Sequence, residues 1–315
     1  MEPTANAAAA PHERVLIVNA DDLGLTDGIS DAVIRAVRFG IVTSASALAN
    51  IDAAPERIAA VRSALPRLPV GLHANITTGR PLLAPERVRS LVDRAGRFFD
   101  GDRILARLET VDAREVSAEL ARQAERLLQA GIRPDHVDFH EIAFLVHRPF
   151  LDAALALARE LGVPVRRPVP ASVEGRIRWP RGEAAALLGR ALRFGLRHPR
   201  AAARLVRRMR PASLRENAAA LQAAGVRAPD WFIDGFFPRA SVDGFLAMLR
   251  TLPLGIAEVA VHPGAVDDEL RQLGGGYVEQ RQIELATLLD PRIREAVAEE
   301  AVRLADFSAL VPSPR

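Results

Sequence analysis

Short apolar runs alternate along this chain with longer stretches in which apolar residues recur every three or four positions. The runs 15–20, 42–49, 69–76, 136–141, 163–167, 231–235 and 256–262 predict strands. The periodic stretches 27–38, 52–64, 112–130, 150–161, 241–251 and 291–304 predict helices. Thr26 or Asp27 is placed to cap the first helix, and Gly40 to end it. Such alternation predicts an α/β fold, a mostly parallel sheet with covering helices. No G-x-G-x-x-G follows the first strand; Asp22-Leu23-Gly24 stands there instead, so an irregular (β/α) barrel is expected rather than a dinucleotide-binding sheet. Residues 168–230 break the alternation with Pro168, Pro170, Pro180, Pro199 and Pro211 and a high arginine content, which predicts an insertion. Residues 1–14 are expected to be a flexible tail, and residues 15–315 a single catalytic domain.

Composition narrows this picture. A chain of 315 residues, 49% hydrophobic, can bury a full core. It has no cysteine, so disulfides, thiolate metal sites and thiolate nucleophiles are excluded. The apolar stretch Ala7–Ala10 is too short for a signal-peptide core, and no run approaches the roughly 18 apolar residues of a membrane span. A cytoplasmic protein, with at most peripheral membrane contact, is expected. All 42 basic residues are arginine, and the net charge is only +3. Fourteen arginines face three glutamates between Arg166 and Glu216, so one segment is strongly basic and the remainder acidic.

Polar clusters close four of the predicted strands: Asp21-Asp22, His73, the run His136-Val137-Asp138-Phe139-His140, and His262. In a barrel the C-terminal strand ends share one mouth, where catalytic residues gather. With a strand repeat of two, His136, Asp138 and His140 share one face, and His140 stands nearest the mouth. Asp and His together suit a catalytic divalent ion, which takes about three protein ligands and keeps a position open. Asp22, His73 and His140 are the predicted ligands, leaving Asp21 to take a proton from water. Each cluster alone has a plainer reading. The Asp pair could be a cap and a solvated turn, His73 a packed histidine, and His262 the end of a strand. His136 and Asp138 could hold loops or orient a ligand. His147 and His198 read as surface or loop residues. Jointly the clusters favour a metal site.

The motifs then show a resemblance. Leu16 to Leu25, Gly40 to Ser46, Val70 to His73 with Thr78-Gly79-Arg80-Pro81-Leu82, His136 to His140, His262 to Leu270, and Tyr277, Arg281, Glu284 and Leu285 all take part. In these the chain resembles the YdjC-like carbohydrate deacetylases, which include chitooligosaccharide deacetylases and proteins associated with hopanoid biosynthesis. The resemblance implies an irregular (β/α) barrel of the polysaccharide-deacetylase-like type and metal-dependent removal of N-acetyl groups from sugars. It implies one divalent ion, Mg2+ or Zn2+, on Asp22, His73 and His140, with Asp21 as base and His262 as candidate acid. His136, Asp138 and Arg80 would support the ligands or the substrate. The chain departs from the pattern at Ile142 and Phe144, where relatives commonly carry further histidines, which implies a less polar site floor.

The basic segment adds a second expectation. Arg190, Arg193, Arg197, Arg200, Arg204 and Arg207 recur at spacings of three and four, although Pro199 must break or restart the helix. Such a stretch is the solvated face of a packed insertion, or it binds an anionic membrane surface or substrate tail through residues 186–210. Nucleic acid is not expected, because aromatic interleaving for base stacking is absent there. The expected substrate is an N-acetylated sugar or glycolipid. Hydrolysis of another amide or ester, or a silent carbohydrate- or membrane-binding protein, are the competing readings.

Overall fold

The computed structural model describes residues 13–175, 184–236, 240–273 and 277–311. Its centre is a parallel sheet of β1 (Arg14–Leu23), β2 (Ser44–Ala47), β3 (Val70–Ala74), β4 (Val137–Phe139), β5 (Trp231–Ile233), β6 (Gly255–Val261) and β7 (Val302–Ala305). The strands run in the order β4-β3-β2-β1-β6-β5, and β7 also pairs with β1. One edge of β1 carries β6 from Arg14 to Ala20. Its other edge is shared, with β7 at Arg14 to Ile17 and β2 at Asn19, Ala20 and Leu23.

The helices are α1 (Asp27–Phe39), α2 (Ala54–Ala64), α3 (Gly101–Arg107), α4 (Ala113–Gln129), α5 (Ala143–Val146), α6 (Arg148–Leu161), α7 (Ala184–Arg197), α8 (Pro199–Arg208), α9 (Pro211–Ala224), α10 (Val242–Arg250), α11 (Asp268–Leu273), α12 (Glu279–Leu289) and α13 (Pro291–Glu299). In α1 the sequence signals act as read: the Thr26 side chain accepts from the Ile29 N–H, and Ile29, Ala32, Val33 and Ala36 form its buried face. Gly40 ends it because a Cβ there would lie 2.6 Å from the carbonyl oxygens of both Ala36 and Leu288. No helix among the described residues is long and apolar enough to cross a membrane.

Four expectations are corrected. The run 163–167 is not a full strand. It forms one bridge, Val165 to Val137, and a second bridge from Pro170 to Phe232 carries the chain across to β5. Pro164, Pro168 and Pro170 lack the N–H groups a ladder needs, so this segment joins the two edge strands and closes the barrel irregularly. The helix expected at 291–304 stops at Glu299; Ala301 adopts φ +50, and residues 302–305 become β7. The expected tail ends sooner, because Arg14 already belongs to β1 and the Glu13 carbonyl accepts from the Gly255 N–H; residues 1–12 lie outside the described residues. His147 is buried rather than superficial, with Arg208 donating to its Nδ1 at 2.6 Å.

That last contact fixes where the insertion sits. Arg208 of α8 also donates to the Val146 carbonyl, and Asn217 of α9 donates to the carbonyls of Leu145 and Pro168. The insertion therefore leans on the chain just beyond the C-terminal end of β4, on the mouth side of the barrel. Its helix breaks at Pro199 as expected, so the arginine series divides between α7 and α8.

Candidate active site

The barrel interior is unusually polar. Partners in the parallel register point the same way, and the pairs Asn19 with Ser44, Ser46 with Gly71 and His73 with Asp138 line up inward positions on β1 to β4. Asn19, Ser44, Ser46, His73 and Asp138 are all buried. Burying polar groups on this scale requires that they be paired.

Adjacent strand residues normally face opposite sides, yet Asp21 and Asp22 both turn into the barrel. A bulge allows it: β1 advances from Ala20 to Leu23 while β2 advances only from Ala45 to Ala47. Asp22 itself adopts φ +67, a left-handed conformation that strains a residue with a Cβ. The strain serves the geometry. Asp22 Oδ1 lies 2.8 Å from His140 Nδ1 and 3.3 Å from His73 Nε2.

The partners of His73 leave its Nε2 free for this contact. Asp138 Oδ1 lies 2.7 Å from His73 Nδ1, and Asp138 Oδ2 is fixed in turn by Ser46, Asn19 and Arg166. A carboxylate on the far nitrogen is the usual way to orient a metal-binding imidazole. His140 is held similarly, with Thr78 Oγ1 2.9 Å from its Nε2. Electrostatics also call for positive charge here. Burial opposes a charged His73, but Asp138 and Asp21 outweigh it and raise that group to about 10. Asp22 is resisted by burial, yet Arg281 and His140 hold it well below the usual carboxylate range. One oxygen and two nitrogens, all within 4.8 Å of one another, fit a divalent ion in both chemistry and arrangement. A second group, Asp21, His73 and Asp138, meets the same spacing but shares His73 with the first.

Asp21 has different company. Arg166 grips it with two bonds, Nη2 to Oδ1 at 2.7 Å and Nη1 to Oδ2 at 2.8 Å, while Arg166 Nε reaches Glu258 at 2.7 Å. His262 Nε2 lies 3.8 Å from Asp21 Oδ2. Burial pushes His262 down to about 4, and its backbone N–H donates to Glu284 at 2.6 Å. Glu284 is itself raised well above the ordinary range by burial.

Sequence reading missed the roles of Arg166, Glu258, Glu284 and Arg281. All four left a trace: Glu258 interrupts the apolar strand 256–262, Arg166 follows the apolar Val163-Pro164-Val165, and Arg281 and Glu284 took part in the resemblance without a role. Two supporting residues lie apart from the cluster. His136 is stacked on Phe307 at 3.7 Å, with Asp135 on its Nδ1, and its ring fills the space beside Gly71. Arg80 is exposed and donates to the Ala95 carbonyl. At Phe144, where a less polar site floor is expected, the ring is fully buried between Phe139 and Phe150, at 5.4 and 6.0 Å. Ile142 packs half-buried against the same core.

Comparison with known proteins bears on this arrangement. The family model described as YdjC-like protein matches residues 15–299. The chain belongs to the YdjC-like family. Among relatives in this family, a carbohydrate deacetylase of Geobacillus stearothermophilus is 31% identical, covering 93% of this chain and 97% of its own. A carbohydrate deacetylase of Thermoanaerobacter pseudethanolicus is 27% identical, covering 94% and 99%. A chitooligosaccharide deacetylase of Yersinia pestis is 29% identical, covering 94% and 98%. The crystal structure of a protein of Enterococcus faecalis titled a putative cellobiose-phosphate cleavage protein superposes with TM-score 0.77 at 27% identity, over 95% of this chain and 99% of that one. The YdjC-like match thus runs from β1 through α13 and stops just short of β7.

Proposed function

We propose that this chain is a divalent-metal-dependent carbohydrate deacetylase, hydrolysing the N-acetyl group of a sugar. The observation that carries the reading is the convergence of Asp22 Oδ1, His73 Nε2 and His140 Nδ1 beside a second carboxylate, Asp21, whose Oδ2 stands 4.0 Å from His73 Nε2. The names of the YdjC-like relatives support the same reaction. Two imidazoles with one carboxylate suit zinc better than magnesium, which prefers oxygen donors.

Asp22, His73 and His140 would hold the ion, which would supply Lewis acidity toward the acetamide carbonyl and the attacking water. Asp21, kept in place by Arg166, accepts the water proton at Oδ2. Attack on the carbonyl carbon forms the new C–O bond, the C–N bond then breaks, and acetate and a free amine leave. His262 faces Asp21 and is neutral at rest, so it takes up at Nε2 the proton that Asp21 has accepted from water and hands it to the departing nitrogen. Metal analysis of the purified protein, with acetate release from a panel of N-acetylated glycans, tests the reaction. Asp21→Asn is expected to retain the ion and lose turnover by at least about a hundredfold; full activity in that variant would end the assignment.

The substrate reading includes a sugar carried on a lipid, met at an anionic membrane through residues 186–210. Support comes from apolar side chains left in the open beside arginines. Leu192 and Leu196 are 62% and 75% exposed on α7, and Val206 is 66% exposed on α8. Arg193, Arg197, Arg200 and Arg207 are exposed around them.

A further inference from the structure

Arg281 is a buried arginine that spends its charge on a single atom. Its Nη2 donates to Asp22 Oδ2 at 2.5 Å, while Nε and Nη1 are buried and form no hydrogen bond with the described residues. Its stem packs on Gly264, where a Cβ would come within 3.1 Å of Arg281 Cβ, and its guanidinium lies 5.1 Å from the Tyr277 ring centroid. Arg166 shows how differently a structural guanidinium is used, with Asp21, Asp138 and Glu258 all bound to it. Leaving two buried donors unmet is costly, so the arrangement does not maximise stability. Its hydrogen bond takes up Asp22 Oδ2, and only Oδ1 is offered alongside His73 Nε2 and His140 Nδ1.

We propose that Arg281 is a positioning residue that limits Asp22 to one donor oxygen and, through its positive charge, keeps the site's affinity for a divalent cation low. The inference rests on the assignment of Asp22, His73 and His140 as ligands. A cation at that cluster feels Arg281 as a like charge across a poorly screened interior, and Asp22 as a carboxylate already half neutralised. Removing the charge leaves Asp22 Oδ2 buried without a partner, which further favours cation uptake.

The test is calorimetric titration of the full-length protein with Zn2+ alone, in a competing chelator. Arg281→Met is expected to lower the Kd for Zn2+ at least tenfold. Arg281→Gln, which keeps a donor for Oδ2 without the charge, is expected to do the same, whereas Arg281→Lys stays near wild type. The Gln and Lys variants preserve the test if the Met protein does not fold. Met and Gln proteins that fold yet bind Zn2+ as weakly as wild type, or more weakly, would overturn the role of Arg281. Wild-type protein that takes up no Zn2+ would instead overturn the ligand assignment beneath it.

Discussion

Glu258 of β6 is buried with one oxygen on Arg166 and the other, Oε2, without a hydrogen bond to the described residues. Burial raises it to about 7, against the opposing pull of Arg166. A carboxyl raised in the folded state binds a proton that the unfolded chain has released. Its contribution to stability is therefore full below its ordinary value of 4.5 and is lost as pH rises through about 7. Glu258→Gln removes the titration while retaining an acceptor for Arg166. Wild type is expected to lose up to about 3 kcal/mol relative to this variant between pH 4.5 and 8. Urea melts at both ends of that range read the difference, and a constant gap would contradict the assignment. Residues of this kind were the least legible in the sequence. Asp21, Asp22, His73 and His140 announced themselves as polar groups at strand ends. Glu258 and Arg166 make sense only as partners, and their pairing depends on strand order, which no local pattern encodes.

At the scale of elements, Gly71 explains how a polar barrel can still be close-packed. A Cβ at this position of β3 would lie 2.3 to 2.5 Å from three atoms of the His136 ring. That ring cannot retreat, because its other side is stacked on Phe307. Gly71→Ala is expected to destabilise the fold by more than about 2 kcal/mol, as overpacking does when the neighbour is fixed. Denaturant melts would show it, and a change under half that size would mean the ring has room to move. Strand and helix periodicity located every strand but β7 and the helices α1, α2, α4, α6, α10 and α13, though not α12, since each located element buries an apolar face that repeats locally. It failed where the deciding interaction is remote. Residues 302–305 become a strand because β1 leaves Arg14 to Ile17 unpaired by β2, and the bulge at Asp21-Asp22 exists only against β2.

For the whole molecule, the near-neutral net charge conceals a division of labour. Arg208, with Asn217, already anchors α8 and α9 to the chain beyond β4, so the exposed arginines of the insertion are not needed to hold it down. Exposed arginines flanking Leu192, Leu196 and Val206 fit a surface that offers both negative charge and an apolar interior, which an anionic bilayer does. A solvated packing face would explain the arginines but not the open leucines. Each arginine near such a surface contributes about 1 kcal/mol, screened by salt, while the leucines add an apolar part that salt does not remove. Co-sedimentation with phosphatidylglycerol vesicles should therefore be strong at low salt and weaken at least tenfold at high salt, and neutral vesicles should retain only the weak apolar part. Replacing Leu192 and Leu196 together by serine should weaken binding at both salt levels, whereas Arg193→Glu with Arg197→Glu should abolish the salt dependence. Neither change touches the ligands or Asp21, so acetate release from a soluble N-acetylated sugar should persist in both. Protein that stays in the supernatant with anionic vesicles at low salt would return the insertion to a packing role and the substrate to a soluble sugar.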